Sequence, residues 1–173
     1  MAKIIENVQE KILLGGKKLL LEKGYQDMTL REVAKSSNIA TGTIYNYYAS
    51  KDFLVAEIMW DDWKKCMENL SKDLDHIQTE MDGFKHLYMS IKAYSNIYSN
   101  AWQGHVDPFL IVRERHSVII EQLKDYINVL FTKFSIPKQK DLDVFLSEVI
   151  LHAATRENDY FDLMAPFITK LIH

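Results

Sequence analysis

The chain has 173 residues, of which 47% are hydrophobic, and a formal net charge of −3 at pH 7. This is enough apolar material for the core of one protomer. The single cysteine, Cys66, excludes an internal disulfide and fits a reducing, cytoplasmic setting. The sequence shows no signal peptide and no apolar run long enough to cross a membrane, so we expect no membrane partner.

Charge is unevenly divided along the chain. Residues 1–51 contain 8 Lys and Arg against 5 Asp and Glu, whereas residues 52–173 contain 13 against 19. The overall negative charge argues against nucleic-acid binding, but this division restricts DNA contact to the N-terminal end. Solvated surfaces often show an imbalance of this size, so it carries weight only together with a motif.

The first predicted helix covers residues 3–23, and Gly24 suits its C′ position. Gly15 and Gly16 lie in its middle, where each costs roughly 1 kcal/mol relative to alanine. A phosphate-binding loop in this stretch would need glycine where the chain has Lys11. Close packing of another helix against the two glycines is the better interpretation.

Two short helices joined by a tight turn follow. Thr29 and Glu32 form a capping box that starts a helix at residue 30, and Asn38 tolerates the left-handed backbone of a sharp reversal. Residues 40–48 form the second short helix, after which Ser50 caps a third. A helix-turn-helix presents its recognition helix to DNA in this arrangement.

This region resembles the signature of TetR-family transcriptional regulators over about residues 10–54. The resemblance rests on Gly24, Tyr25, Thr29, Val33, Ala34, Gly42, Thr43, Ile44, Tyr45, Tyr47, Tyr48, Ser50 and Lys51. It implies an all-α protein of about nine helices, with an N-terminal three-helix head and a C-terminal helical body. A DNA-binding domain is expected in residues 1–50, and a ligand-binding and dimerisation domain in residues 51–173. The body itself matches no family signature.

The resemblance and the residue types assign roles within the recognition helix. Thr41, Tyr45 and Asn46 suit base edges or thymine methyl groups, and Gly42 lets the backbone approach DNA closely. Tyr45 is equally consistent with a core position, whereas Tyr48 is expected in the core.

Phosphate contacts are expected from Thr43, Tyr47 and Lys51. Ala40 stands where the family commonly has a capping serine, which weakens the helix start by roughly 1 kcal/mol. Thr41, Thr43 or a DNA phosphate would compensate for the missing cap.

The body is predicted to contain helices over residues 51–77, 79–100, 109–134, 139–156 and 160–172. The first would connect the head to the body. It carries an apolar stripe of Met59, Trp63, Cys66, Met67, Leu70, Leu74 and Ile77. On that stripe Cys66 is more consistent with a buried, inert thiol than with a redox sensor.

The last two helices are apolar on one face, and Pro166 either kinks the final helix or marks its start. The alternatives are packing within the body or pairing with a second protomer, and the resemblance implies a homodimeric four-helix bundle. Its expected contacts are Phe145, Val149, Ile150, Phe161, Phe167, Ile168 and Leu171. A two-fold dimer would read a palindromic operator in double-stranded DNA.

Aromatic residues surround the break in the helical pattern at residues 101–108. The resemblance places an effector cavity near here, lined by Trp63, Met67, Tyr94, Tyr98, Trp102, His105 and Phe109. Such a lining suits a small, largely apolar effector. An ordinary core explains any one of these residues equally well. A regulator without a cavity would instead be a coactivator that binds a partner protein.

Enzymatic activity is not expected. The sequence has no His-Glu-x-x-His motif, no nucleotide loop and no Cys/His spacing for a metal, so no cofactor is predicted. His105, Asp107 and His116 flank the break and would be the residues of a metal site if there were one. The favoured hypothesis is a cytoplasmic, ligand-responsive repressor whose effector shifts the helix over residues 51–77.

Overall fold

The computed structural model describes residues 7–99, residue 101 and residues 109–173, with only the backbone described for residues 109–114. These residues form eight α-helices and one short 3-10 helix, Leu74–His76, and contain no strand. The all-α class is therefore confirmed, and the expected count of about nine helices is close. The α-helices are α1 (Val8–Asp27), α2 (Leu30–Ser37), α3 (Thr41–Tyr47), α4 (Lys51–Asp73), α5 (Glu80–Ser99), α6 (Phe109–Lys133), α7 (Leu142–Ala154) and α8 (Phe161–Ile172).

The chain divides into two compact units. The first contains the residues up to Trp63 together with the segment that starts at Ile97, and the second contains Lys64–Asn96 and Phe109–His173. Helix α4 contributes residues to both units. The domain boundary expected between residues 50 and 51 stays a prediction. No helix in the described part of the chain is both long enough and apolar enough to span a membrane.

Glycines fix the geometry of α1. Gly24 has a φ of 79°, which confirms that regular helix is interrupted there and explains why glycine suits the position. A Cβ at Gly15 would overlap the Oγ atom of Ser37 in α2 and lie 3.3 Å from the Ser37 nitrogen. A Cβ at Gly16 would lie 2.8 Å from Ile58 Cδ1 in α4. The close-packing interpretation of these two glycines is confirmed.

In the second unit, α6 packs on α7 and α7 packs on α8. The turn between α7 and α8 is held by α5. There the buried Lys92 donates through Nζ to the carbonyl oxygens of Arg156, Glu157 and Asn158. The Tyr160 N–H donates to the Tyr88 hydroxyl at 2.8 Å. Four contacts from one helix thus fix the point at which the chain reverses.

One expected helix boundary in the body was wrong, and one of the two alternatives for Pro166 is excluded. Helix α4 ends at Asp73 instead of residue 77, because the chain tightens into the 3-10 helix. Pro166 lies inside α8 and does not mark its start. The helix starts at Phe161, whose N–H donates to Asp159 Oδ1 at 3.0 Å.

Cys66 lies in the second unit, where its Sγ is 3.7 Å from the carbonyl oxygen of Ser90. Burial raises the pKa of the thiol to about 11. At neutral pH the group is therefore a thiol and a poor nucleophile, which favours the inert interpretation.

We predict that Gly15→Val lowers the free energy of unfolding by about 1–3 kcal/mol, because the added methyl groups overpack the contact with Ser37. Urea denaturation followed by circular dichroism measures the change. Gly42→Ala is the matched control, since nothing lies within 4 Å of a Cβ there. The control should not destabilise the protein, and an equal loss in both variants would contradict the close-packing explanation.

We also predict that native Cys66 reacts slowly with iodoacetamide at pH 8. With a pKa of about 11, only about one thiol in a thousand is ionised there. The rate should rise steeply with pH towards 11, and it should rise at pH 8 when urea unfolds the chain. Rapid labelling of the folded protein at pH 8 would show that the thiol is activated.

Candidate nucleic-acid interface

The start of α2 and its reversal into α3 are built by local side-chain chemistry. Thr29 Oγ1 accepts the N–H of Glu32 at 3.2 Å, and the Thr29 N–H donates to Glu32 Oε2 at 3.0 Å, so the predicted capping box is confirmed. Lys23 Nζ lies 2.7 Å from Glu32 Oε1 and lowers the pKa of that carboxyl. Asn38 adopts the left-handed conformation, with φ 54° and ψ 43°, as predicted.

Helix α3 has one buried face and one exposed face. Ile44 and Tyr48 are buried, as are Val33 and Ile39, which precede them in the first unit. The expected inward face of the helix is therefore confirmed, including the core position of Tyr48. Burial of Ile44 and Tyr48 fixes the rotation of α3 about its own axis, because residues four apart share a face.

The opposite face of α3 carries the residues that were expected to touch DNA. Thr41, Gly42, Tyr45, Asn46 and Tyr47 are all exposed. Tyr45 is 51% exposed, so its alternative assignment to the core is wrong. The sequence pattern did not decide between a core and an exposed position for Tyr45, because this residue directly follows the buried Ile44. Only the packing of α3 fixes the direction of the Tyr45 side chain.

The amino-terminal end of α3 has no side-chain cap. Ala40 occupies the N-cap position, and it makes no side-chain cap bond. Thr43 is half-buried, which leaves it less accessible than the other expected contact residues.

The phosphate-binding role expected of Lys51 stays a prediction, and its ammonium has partners within the first unit. Its Nζ donates to the carbonyl oxygen of Tyr25 at 2.7 Å and to that of Gln26 at 3.3 Å. It also lies 4.2 Å from the centre of the Tyr25 ring. Sequence reasoning missed these contacts because the partners are about 26 positions apart and no local pattern links them.

The expected effector residues fall in different places. Trp63 is buried in the first unit, where the Tyr98 hydroxyl donates to the buried Asp62 at 2.5 Å. Met67 lines a groove of about 360 Å³ in the second unit, and Tyr94 is half-buried in that unit. Trp102, His105 and the side chain of Phe109 lie outside the described residues. The effector cavity stays a prediction.

The expected dimer residues separate into two groups. Ile150, Phe161 and Ile168 are buried inside the protomer, and their expected role in an interface stays a prediction. They lie on the inner sides of α7 and α8, and hydrophobicity alone does not distinguish the two sides of an apolar helix. Phe145, Phe167 and Leu171 are exposed and Val149 is half-buried. These four line an apolar groove of about 370 Å³, with Leu146, Met164, Ile168 and Lys170.

Of the three residues considered for a metal site, only His116 lies among the described residues, and its neighbour is a glutamate. His116 Nε2 lies 3.1 Å from Glu148 Oε2, while His105 and Asp107 lie outside the described residues. Within the described ranges, no group of three or more His, Cys, Asp or Glu side chains is placed to hold a metal ion.

Comparison with known proteins agrees with this geometry. A sequence model described as "Bacterial regulatory proteins, tetR family" matches residues 12–58. An uncharacterized HTH-type transcriptional regulator of Haemophilus influenzae is 26% identical over 85 residues, which are 49% of this chain and 46% of that protein. The chain thus spans about half of this relative's length.

Solved structures resemble nearly the whole chain. The reduced form of Escherichia coli NemR has a TM-score of 0.64 at 14% identity and covers 96% of this chain and 98% of its own. RolR in complex with resorcinol has a TM-score of 0.63 at 18% identity and covers 96% and 88%. At these identities the two structures show the fold alone.

The capping box, the left-handed Asn38, the two-faced α3 and the match over residues 12–58 agree with one another. Residues 12–58 of the chain are therefore similar to the TetR family of bacterial regulatory proteins, and nearly the whole chain shares its fold with NemR and RolR.

Proposed function

We propose that the protein is a DNA-binding transcriptional regulator that reads double-stranded DNA with the exposed face of α3. The observation that supports this most is the two-faced packing of α3. Burial of Ile44 and Tyr48 forces Thr41, Tyr45 and Asn46 outward together. Hydroxyl and amide groups on one helical face can bond base edges in the major groove, and the neighbouring Tyr47 hydroxyl suits a phosphate oxygen.

The active species in this proposal is a homodimer on a palindromic operator in the cytoplasm. The groove lined by Phe145, Val149, Phe167 and Leu171 supports it, because these apolar side chains remain uncovered in the protomer. Contiguous exposed apolar surface is typical of protein interfaces. One recognition helix buries little surface, so two heads related by a two-fold axis would raise both affinity and specificity.

Regulation is proposed to come from a small, largely apolar effector that binds the body and releases DNA. RolR has been solved with resorcinol, which makes a small aromatic ligand a reasonable starting point. The effector must bind the DNA-incompetent state better than the competent one. A hundredfold preference corresponds to about 2.7 kcal/mol of coupling.

A thermal-shift screen with small aromatic compounds tests the effector proposal directly. A compound that raises the unfolding temperature should also weaken operator binding in a gel-shift assay. If hits that stabilise the protein leave DNA affinity unchanged, the repressor mechanism fails. The alternative of a coactivator for a partner protein then becomes the better hypothesis.

We predict that Asn46→Ala changes the base preference at one position in each half-site, because Asn46 is exposed and a side-chain amide can bond a base edge. Loss of one good side-chain-to-base contact should reduce discrimination by about 1–3 kcal/mol at that position. Selection from a random DNA pool with the wild type and the variant measures the change.

Tyr47→Phe is the matched control, since it removes one exposed hydroxyl from the same helix. It should lower affinity similarly for all sequences and leave the selected site unchanged. If Asn46→Ala returns the wild-type site, Asn46 does not read bases.

We predict that the wild type is dimeric at micromolar concentration and that Phe167→Glu shifts it to monomer. Phe167 is 64% exposed in the protomer, so the fold should tolerate glutamate. Burying the new carboxylate in an apolar interface should cost several kcal/mol per interface. Light scattering gives the mass, and circular dichroism checks that helicity is retained.

Met89→Glu is the control for this experiment, because Met89 is also exposed but lies on α5, away from the groove. It should stay dimeric and bind DNA. A monomeric wild type would contradict the paired-head proposal, and a dimeric Phe167→Glu variant would place the interface elsewhere.

A further inference from the structure

The two ends of the helix-turn-helix are joined by contacts that converge on Tyr25. Lys51 donates to the Tyr25 and Gln26 carbonyl oxygens, and the Tyr25 hydroxyl donates to the Asp52 carboxylate. The bonded residues are 25 to 27 positions apart, so they close a loop that contains all of α2 and α3. We call these four residues, Tyr25, Gln26, Lys51 and Asp52, the Tyr25 clamp.

The Lys51 ammonium is engaged on several sides within this clamp. The two carbonyl oxygens take two of its three N–H donors. The Tyr25 ring lies 4.2 Å from Nζ, within the range of a cation–π contact. Asp52, the next residue in the chain, accepts the hydroxyl of the same Tyr25. One N–H is left, so a DNA phosphate could accept more than a single bond from Lys51 only by replacing one of these contacts.

Tyr25 is fixed from another direction as well. Its N–H donates to the carbonyl oxygen of Ala101 at 2.7 Å. Burial, with the Asp52 bond, raises the pKa of Tyr25 to about 12, so its hydroxyl stays a donor at neutral pH. The backbone N–H, the carbonyl, the ring and the hydroxyl of one residue therefore each have a defined partner.

We propose that Lys51 is a positioning residue that presents α3 in one orientation through the Tyr25 clamp, and is not a phosphate ligand. This inference rests on the DNA binding proposed above. Closing the loop around α2 and α3 reduces the orientations open to α3 in the free protein. The protein then loses less conformational entropy when it binds DNA, which strengthens binding without a direct contact.

The salt dependence of DNA binding separates positioning from phosphate binding. Lys51→Met keeps most of the aliphatic chain but removes the charge and the donors. We expect affinity to fall about tenfold at every salt concentration, with the slope of log K against log [salt] unchanged. A phosphate ligand on both heads of a dimer would instead lower that slope by about 1.8. The smaller slope would overturn the proposal.

Lys138→Met is the charge control, because it removes one positive charge from the second unit. It should change neither the affinity nor the slope. Lys51→Arg should retain affinity, since a guanidinium can both donate to carbonyls and stack on the Tyr25 ring. Loss of affinity in Lys51→Arg as large as that in Lys51→Met would overturn the proposal.

Tyr25→Leu tests the other half of the clamp without changing charge. It should weaken DNA binding about as much as Lys51→Met, and the double variant should be no weaker than either single variant. Losses that multiply in the double variant would mean that the two residues act independently, which the clamp does not allow.

Urea denaturation tests the contacts of the Tyr25 clamp without DNA. The urea midpoints of the two single variants should be lowered, and their combination should be less than additive, because both remove the same contacts. Additive shifts would overturn the clamp. A wild-type protein that binds no selected DNA would overturn only the proposed function.

Discussion

The packing of Ile44 and Tyr48 beneath α3 is the constraint on which the candidate site depends. The helix has only seven residues and no side-chain cap, so its own backbone bonds would not hold it in water. It persists because Ile44 and the C-cap residue Tyr48 enter the core of the first unit. The same burial fixes its rotation, so the packing that stabilises the helix also determines which residues it can offer to a partner.

Short-range interactions explain why much of the three-helix head could be predicted from the sequence. The capping box of Thr29 and Glu32, the left-handed turn at Asn38 and the glycine break at Gly24 are short-range features that the chain encodes within a few residues. Their physical causes act between neighbours, so a single sequence is enough to predict them. The direction of Tyr45 was less certain, because it depends on how deeply Ile44 packs into residues brought in by other helices.

Contacts between residues far apart in the sequence could not be predicted, because no local pattern encodes them. Nothing near Lys51 in the sequence points to the carbonyl oxygens of Tyr25 and Gln26, and nothing near Lys92 points to the turn after α7. The apolar faces of α7 and α8 were recognised, but hydrophobicity did not separate the buried Ile150, Phe161 and Ile168 from the exposed Phe145 and Phe167. Which of these apolar side chains are buried is determined only by the packing of the whole protomer.

The first unit is made of two separate stretches of the chain, so the three-helix head cannot be cut out as a fragment without losing part of its core. Leu54, Val55 and Ile58 are buried residues of that unit although they belong to α4, and its Tyr25 amide is bonded by Ala101 from the distant segment. A fragment cut after α3 would therefore expose part of its own core and lose a backbone partner. The helix-turn-helix of this protein is therefore not an independent folding unit, and a chimaera would have to carry the first half of α4 and an equivalent of residues 97–101.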